Sequence, residues 1–361
     1  MAERVLTNRD LNRALLARQL LLTRSRLSLA RALEQVGGLQ AQYAPASYIR
    51  LWSSLEGFRL ADLTGALERR RVVQGTLMRS TIHLVSARDY WPFAVGVRRA
   101  RMEWWARTHG MDVDPRMLAR AATRVRSLLG DGARRREELV EACGSTQLWH
   151  GLPLELVRAP PSGTWERRRA DLYAAADAWL GPSTDDEPAG LEHLLRHYLG
   201  GFGPARVNDA AAWAGVAVSM LEPVVERLPL RRFRDEQGRE LVDLPRALLP
   251  GGGVPAPVRF LPVFDATLLV HARRTEILPE EYRPVIFNTK TPQSANTFLV
   301  DGAVAGTWRV GRAERKATLS LLPFAPLPRA ARAELRDDAA RLVRFVEPDA
   351  PGHAVSFTRS S

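Results

Sequence analysis

The sequence predicts a mainly α fold with β structure (α+β): three tandem winged-helix units followed by a small C-terminal β-barrel or curled sheet. Three observations carry this. Apolar residues recur at helical spacing over most of the first 250 positions, interrupted by short runs with β-type alternation. The order helix, helix, helix, hairpin occurs three times, loosely, and this is the order of a winged helix, whose hairpin flanks a recognition helix. After the Pro/Gly stretch Pro250 to Pro255, strand runs dominate.

The elements follow in order. Thr7 is placed to cap an amphipathic helix carrying Leu11, Leu15 and Arg18, and a second helix fits Ser28 to Gln35, ending at Gly37-Gly38. Tyr48 to Leu55 and Arg59 to Arg70 read as helices, then Val72 to Met78 and Thr81 to Val85 as a hairpin turned through Arg79-Ser80. A long helix from Ala87 to Thr108 and shorter ones at Pro115 to Leu129 and Arg134 to Ala142 open a second unit, whose wing falls around Ala159 to Trp165. Gly181 to Pro188 has the composition of a linker. The third unit takes helices at Leu191 to Gly200, one N-capped by Asn208, and one at Ser219 to Arg227, with a wing across Asp235 to Gly238. Strand runs near 260–265, 297–302, 306–310 and 317–321 and a final helix from Arg329 to Phe345 complete the chain. The units are therefore expected at 1–87, 88–182, 189–248 and 255–361.

Composition narrows the partner. At 361 residues, 45% apolar and 25% charged, the chain has the make-up of an ordinary globular protein, but its formal charge is +12. That excess favours a polyanion, nucleic acid first. Only Lys290 and Lys316 among the 52 basic residues are lysines. Cys143 is the sole cysteine, which excludes an internal disulfide and a thiolate zinc site. No apolar run approaches membrane-spanning length and the start lacks a signal-peptide core, so a cytoplasmic, nucleoid-associated protein with no membrane partner is expected.

The chemistry centres on Gly37-Gly38-Leu39-Gln40-Ala41-Gln42-Tyr43. In an extended segment, a spacing of two puts both glutamine amides on one side. An amide donates and accepts but stays uncharged, so such a pair can hold a water or read a base edge and cannot remove a proton. The glycines permit close backbone approach, and the aromatic, apolar stretch to Trp52, broken by Arg50, suits a channel wall.

The chain resembles the bacterial winged-helix DNA glycosylases of the AlkZ and YcaQ type over nearly its whole length. The resemblance rests on Gly38 to Gln42, the Thr81-Ile82-His83-Leu84-Val85 run, Leu261 to Asp265 with His271 and Arg274, and Val300 to Arg309. It implies three winged helices curved into a C-shaped cleft closed by a β-barrel. The implied activity is hydrolysis of the N-glycosidic bond of alkylated purines, chiefly N7-alkylguanine, with unhooking of interstrand crosslinks in some members. The family's motif, glutamine, an apolar residue, then glutamine or aspartate, carries onto Gln40, Ala41 and Gln42. Glutamine rather than aspartate at the last position implies the AlkZ-like branch, for which self-resistance to a DNA-alkylating natural product is the implied role. The implied partner is double-stranded DNA containing alkylated purines, met by a monomer without a cofactor.

Two neutral amides suffice for such a substrate. Sugar-hydrolysing sites use one carboxyl to protonate the leaving group and another to activate water or stabilise the cationic transition state. An N7-alkylated guanine is already cationic and departs neutral, so the acid is dispensable. What remains is to hold a water about 3 Å from the anomeric carbon and to turn dipoles toward the developing charge. Gln42 is expected to orient that water, with Gln40 supporting it or contacting the sugar.

Around the pair, Arg50, Arg79, His83, Arg167, Arg168, Lys290 and Gln293 are DNA-contact candidates. Arg79 sits at a hairpin tip, and Lys290 and Gln293 lie in a polar loop suited to probing a groove. Packed alternatives stand beside them: His83 as a hydrogen-bonded strand residue, Arg167 and Arg168 as a solvated face, the loop as plain surface. His193 and His197 have metal-ligand spacing but no third ligand in the sequence, so no metal is expected. Asp265 and His271, the alternative catalytic candidates, rank as structural partners at the cleft edge. A non-catalytic transcription regulator is the competing reading, since glutamine reads adenine, though three winged helices without a dimerisation helix argue against it. A broader-specificity glycosylase of the YcaQ type is disfavoured by Gln42.

Overall fold

A computed structural model describes residues 4–109, 114–169, 171–269, 272, 274–287, 294–313 and 315–358. The first elements are β1 (Val5–Leu6), α1 (Asn8–Arg18), α2 (Leu29–Val36), β2 (Leu39–Gln40), α3 (Ala44–Ser54), α4 (Leu60–Glu68), β3 (Val72–Thr76) and β4 (Ile82–Ser86). Thr7 caps α1 in a reciprocal box with Asp10. Gly37, left-handed at φ 77°, closes α2, as the sequence indicates. The third helix begins earlier than expected, at Ala44, because Pro45 in its first turn fixes a helical φ without costing a hydrogen bond.

Next come α5 (Ala87–His109), α6 (Pro115–Leu129), β5 (Arg134–Arg135), α7 (Arg136–Cys143), α8 (Thr146–His150), β6 (Leu156–Arg158), β7 (Leu172–Ala175) and α9 (Ala176–Leu180). Arg134 and Arg135 pair with β7 instead of opening a helix. The third group is α10 (Glu187–Phe202), α11 (Val207–Ala214), α12 (Val218–Arg227), β8 (Arg231–Asp235) and β9 (Glu240–Asp243). Asp186 caps α10, so the linker is shorter than its composition indicates. Arg206, not Asn208, stands at the start of α11, and Asn208 falls inside the first turn.

The C-terminal part holds β10 (Arg259–Leu261), α13 (Arg283–Ile286), β11 (Thr297–Val300), β12 (Ala303–Ala313), β13 (Lys316–Pro323), α14 (Arg329–Val346) and β14 (Gly352–Phe357). Its strands form one sheet in the order β10-β11-β12-β13-β14. β14 lies parallel to β13 and follows a helix, a crossover that sequence reading missed because its strand comes after the last apolar helix.

The hairpins are not separate. β3 pairs with both β4 and β6, so the first two share a six-stranded sheet ordered β2-β4-β3-β6-β7-β5. β1 adds in parallel to β8, fastening the start of the chain to the β8–β9 hairpin. A buried Arg18–Asp243 pair at 2.7 Å ties α1 to the same hairpin.

Three apolar clusters support this arrangement. The central one joins α1, α5 and α10–α12 through residues such as Leu15, Phe93, Tyr198 and Trp213. A second packs α2–α4 against the C-terminal sheet and α14, and a third lies among α6, α7 and α8. Gly96 and Gly190 set the α5–α10 crossing: a Cβ on Gly190 would stand 2.6 Å from the Gly96 nitrogen, so only glycine allows it. No described helix is long and apolar enough to cross a membrane.

Candidate active site at the glutamine pair

The Gly37-Gly38 turn hands the chain from α2 into β2, and the short strand pairs antiparallel with β4, Leu39 opposite Leu84 and Gln40 opposite His83. Gly38, at φ 78°, lies so close to β4 that a Cβ would stand 2.8 Å from Val85 Cγ1. The Ala41 amide extends the pairing by donating to Ile82 O at 2.7 Å. Both glutamines are half-buried. The extended segment expected around both glutamines reaches only Gln40, at the end of β2, and Gln42 lies in the bend that leads into α3.

The two amides have different surroundings. Gln40 Oε1 accepts a hydrogen bond from Arg79 Nη2 at 2.8 Å. Because a guanidinium only donates, this contact fixes which end of the Gln40 amide is oxygen and leaves its NH2 turned away. Gln42 Oε1 is buried with no hydrogen-bond partner among the described residues. A buried amide oxygen left without a donor costs roughly 1–3 kcal/mol, a deficit that a bound water or substrate group removes.

Arg79 is the unexpected member. It and Ser80 both adopt left-handed backbone, φ 54° and 57°, at the tip of the β3–β4 hairpin. This strain is held by docking against the end of α11, where Gly215 leaves room: a Cβ there would lie 2.9 Å from Arg79 N and Cα. Arg79 Nη1 donates to Trp213 O, one of the carbonyls that α11 leaves open at its C-terminus. Burial pulls the Arg79 pKa down to about 10, so it stays charged near neutrality. Both terminal nitrogens of half-buried Arg79 thus make internal contacts, which tie the third helix group to Gln40.

His83 is also internal. It is 2% exposed, its Nδ1 sits 3.1 Å from Thr81 O, and burial with the neighbouring Arg79 charge lowers its pKa to about 3. A neutral, enclosed imidazole fits the packed-strand alternative. Arg50 is corrected outright. It is 3% exposed, pairs with Asp265 Oδ2 at 2.7 Å and bonds Gln19 O at 2.9 Å, so no phosphate reaches it. Of the stretch that suggested a channel wall, Tyr43, Pro45, Ala46 and Ile49 do line a concavity, whereas α3 turns Arg50 inward to the buried side.

Arg167 and Arg168 are exposed, with Arg168 lying over the Trp165 ring at 5.1 Å. Arg168, Trp165 and the half-exposed Tyr43 line one concavity of about 300 Å³, so the residue after Gln42 shares a wall with a basic side chain. A second concavity, about 450 Å³, is lined by Arg79, Ser80, Arg101, Trp104 and Arg107 beside the hairpin tip. Sequence reading missed Arg101, Trp104 and Arg107; an aromatic and two arginines at helical spacing on α5 were the available signal. Lys290, Gln293 and His271 lie outside the described residues.

The carboxylate offered as an alternative, Asp265, is engaged: it is paired with Arg50 and accepts from Thr267, so it is not a free base.

Comparison with known proteins gives a consistent picture. The family profile described as DNA glycosylase AlkZ-like matches residues 33–345. The solved structure of Streptomyces sahachiroi DNA glycosylase AlkZ superposes with a TM-score of 0.79 at 17% identity, covering 98% of this chain and 100% of that one. At that identity the match speaks for the fold. No curated protein matches the chain in sequence.

Proposed function

Since this chain belongs to the AlkZ-like DNA glycosylase family, we propose that it hydrolyses the N-glycosidic bond of N7-alkylated purines in duplex DNA, with Gln40 and Gln42 as catalytic residues. The observation that carries the reading is the unpartnered Gln42 oxygen two residues from a Gln40 amide oriented by Arg79.

The two amides take different parts. Gln42 Oε1 accepts from the attacking water and directs its lone pair at C1′; Gln40, with its oxygen engaged by Arg79, offers NH2 to the water oxygen or the sugar. As the C1′–N9 bond breaks, its electron pair passes into the cationic purine, which leaves neutral. Water's oxygen bonds to C1′ and its proton passes to solvent, giving an abasic site. No general acid is required, and undamaged guanine, a poor leaving group, is not a substrate.

Three winged-helix units and the C-terminal sheet would together form the DNA cleft, with Arg167, Arg168, Lys290 and Gln293 as phosphate or groove contacts. The +12 charge and the arginine-lined concavities support that reading. The enzyme is proposed to act as a monofunctional monomer, to accept bulky adducts and crosslinks, and to serve repair and self-resistance. The test is a panel of duplexes bearing N7-alkylguanine, an N7 crosslink or no lesion, scored for alkali-labile abasic sites. Cleavage confined to lesions is expected. Binding without any abasic product would instead favour a regulator.

A further inference from the structure

A side-chain cluster apart from the glutamine pair has the donors and spacing of a metal centre. Asp89 near the start of α5 meets His193 and His197, one turn apart on α10. Asp89 Oδ1 is 3.3 Å from His193 Nε2 and 3.7 Å from His197 Nε2, and all three ligand atoms lie within 4.8 Å of one another. Zinc bonds to imidazole nitrogen and carboxylate oxygen are about 2.0–2.2 Å, so the edges of its coordination tetrahedron are about 3.3–3.6 Å. The cluster is close to that size before any adjustment.

The surroundings are those of a held site. His197 Nδ1 is 2.9 Å from Glu34 O. A carbonyl only accepts, so Nδ1 carries the proton, and in the neutral ring Nε2 presents its lone pair to the Asp89 carboxylate. Two electron-rich atoms facing each other are an unfavourable pair unless a proton or a cation stands between them. His193 Nε2 is buried, 3.3 Å from Asp89 Oδ1 and, among the described residues, without a well-aligned hydrogen bond. A backbone carbonyl on the second nitrogen of a ligating histidine is the usual way proteins fix such a ring. Phe93 closes one side, edge-on to both imidazoles at 4.8 and 5.2 Å. The Gly96–Gly190 crossing draws α5 and α10 close enough for the three side chains to meet.

We propose that Asp89, His193 and His197 bind one divalent first-row transition metal ion, zinc by preference, with water in the remaining position. Imidazole with a single carboxylate suits zinc over calcium or magnesium. The ion clamps α5 to α10. Through His197 and Glu34 it also braces the last turn of α2, directly before the Gly37-Gly38 turn that leads to Gln40. The site is independent of the glycosylase reading.

The test uses the full chain without an affinity tag. Purified protein is dialysed against zinc or cobalt and assayed for metal content, with cobalt's visible spectrum reporting the ligand field. Thermal midpoints are compared with and without chelator. One equivalent per chain, a cobalt spectrum of low-coordinate nitrogen/oxygen type and a midpoint that falls on chelation are expected. His193→Gln and Asp89→Asn should each lose the equivalent while keeping the far-ultraviolet circular dichroism of the parent. If those variants fail to fold, the parent's stoichiometry and chelator response still decide. A parent that takes up no stoichiometric metal, or a His193→Gln/His197→Gln double variant that retains it, overturns the proposal and leaves a hydrogen-bonded His–Asp network.

Discussion

Gln40 ends β2 and Arg79 sits at the tip of the β3–β4 hairpin, yet the guanidinium of Arg79 donates to the side-chain oxygen of Gln40 at 2.8 Å while its other nitrogen holds the end of α11 through Trp213 O. The orientation of one proposed catalytic amide thus depends on docking between the first hairpin and the third helix group. A mutation far from DNA that loosens this docking would be felt at Gln40.

Replacing Arg79 tests that dependence. Arg79→Ala leaves two acceptors without a donor, at roughly 1–3 kcal/mol each if they remain buried. Arg79→Lys keeps the charge but, with a single point donor, cannot bridge both oxygens in the same geometry. Urea unfolding should show Ala destabilised more than Lys, whereas single-turnover base release should drop about tenfold or more in both. A lysine variant with parental rates would separate Arg79 from Gln40 function.

The two motif glycines should differ. Both have positive φ, but a methyl on Gly37 would meet only ordinary contacts, 3.4 Å to His197 O, whereas on Gly38 it would be 2.8 Å from Val85 and 3.2 Å from Leu84 O. Gly37→Ala is expected to cost about 1 kcal/mol of stability with modest change in rate. Gly38→Ala is expected to cost more, about 2–3 kcal/mol, and to lower activity sharply by displacing β2. Paired thermal and kinetic measurements check the order.

His83 makes a pH prediction. Its folded pKa is lowered to about 3 from an ordinary value near 6.5, so below pH 6.5 the unfolded chain binds a proton that the folded one refuses. Its contribution therefore weakens stability as pH falls from about 6.5 toward 3, by up to about 1.4 kcal/mol per pH unit, and is flat above 6.5. His83→Gln should flatten that slope in urea titrations between pH 5 and 6.5, a window chosen from about those two values. The rate profile above pH 6 should show no histidine inflection from this residue.

The arginines separate by location. Arg167→Ala/Arg168→Ala should weaken binding to all duplexes alike and make the salt dependence shallower, by about 0.9 in slope for each phosphate that is no longer neutralised, with stability unchanged. Arg50→Met should do the opposite: leaving Asp265 buried without its partner costs about 3–5 kcal/mol, with no specific change in salt dependence. Fluorescence anisotropy across salt concentrations and urea melts distinguish the two signatures.

Local chemistry made much of this legible in the sequence. Thr7, Gly37 and Pro115 mark helix ends by capping and fixed φ, and Val72 to Val85 alternates as a hairpin should. Partner choice over long range was not legible. Nothing local distinguishes a solvent-facing Arg79 from one bonded to Trp213, 134 positions away, or sets Asp89 opposite His193. Nor does spacing reveal that Arg50 faces Asp265 rather than DNA. The two glutamines stood out locally only as a spacing of two after a glycine turn, and their proposed role came from the family resemblance; the different surroundings of the two amides depend on the third helix group.

The most direct measurement is single-turnover release of 7-methylguanine from methylated duplex by the parent, Gln40→Ala, Gln42→Ala and the double variant, each with unchanged melting behaviour. A loss of roughly 100-fold or more is expected for Gln42→Ala, a smaller loss for Gln40→Ala, and a double variant near background. Parental rates in the double variant would contradict the catalytic role of the pair.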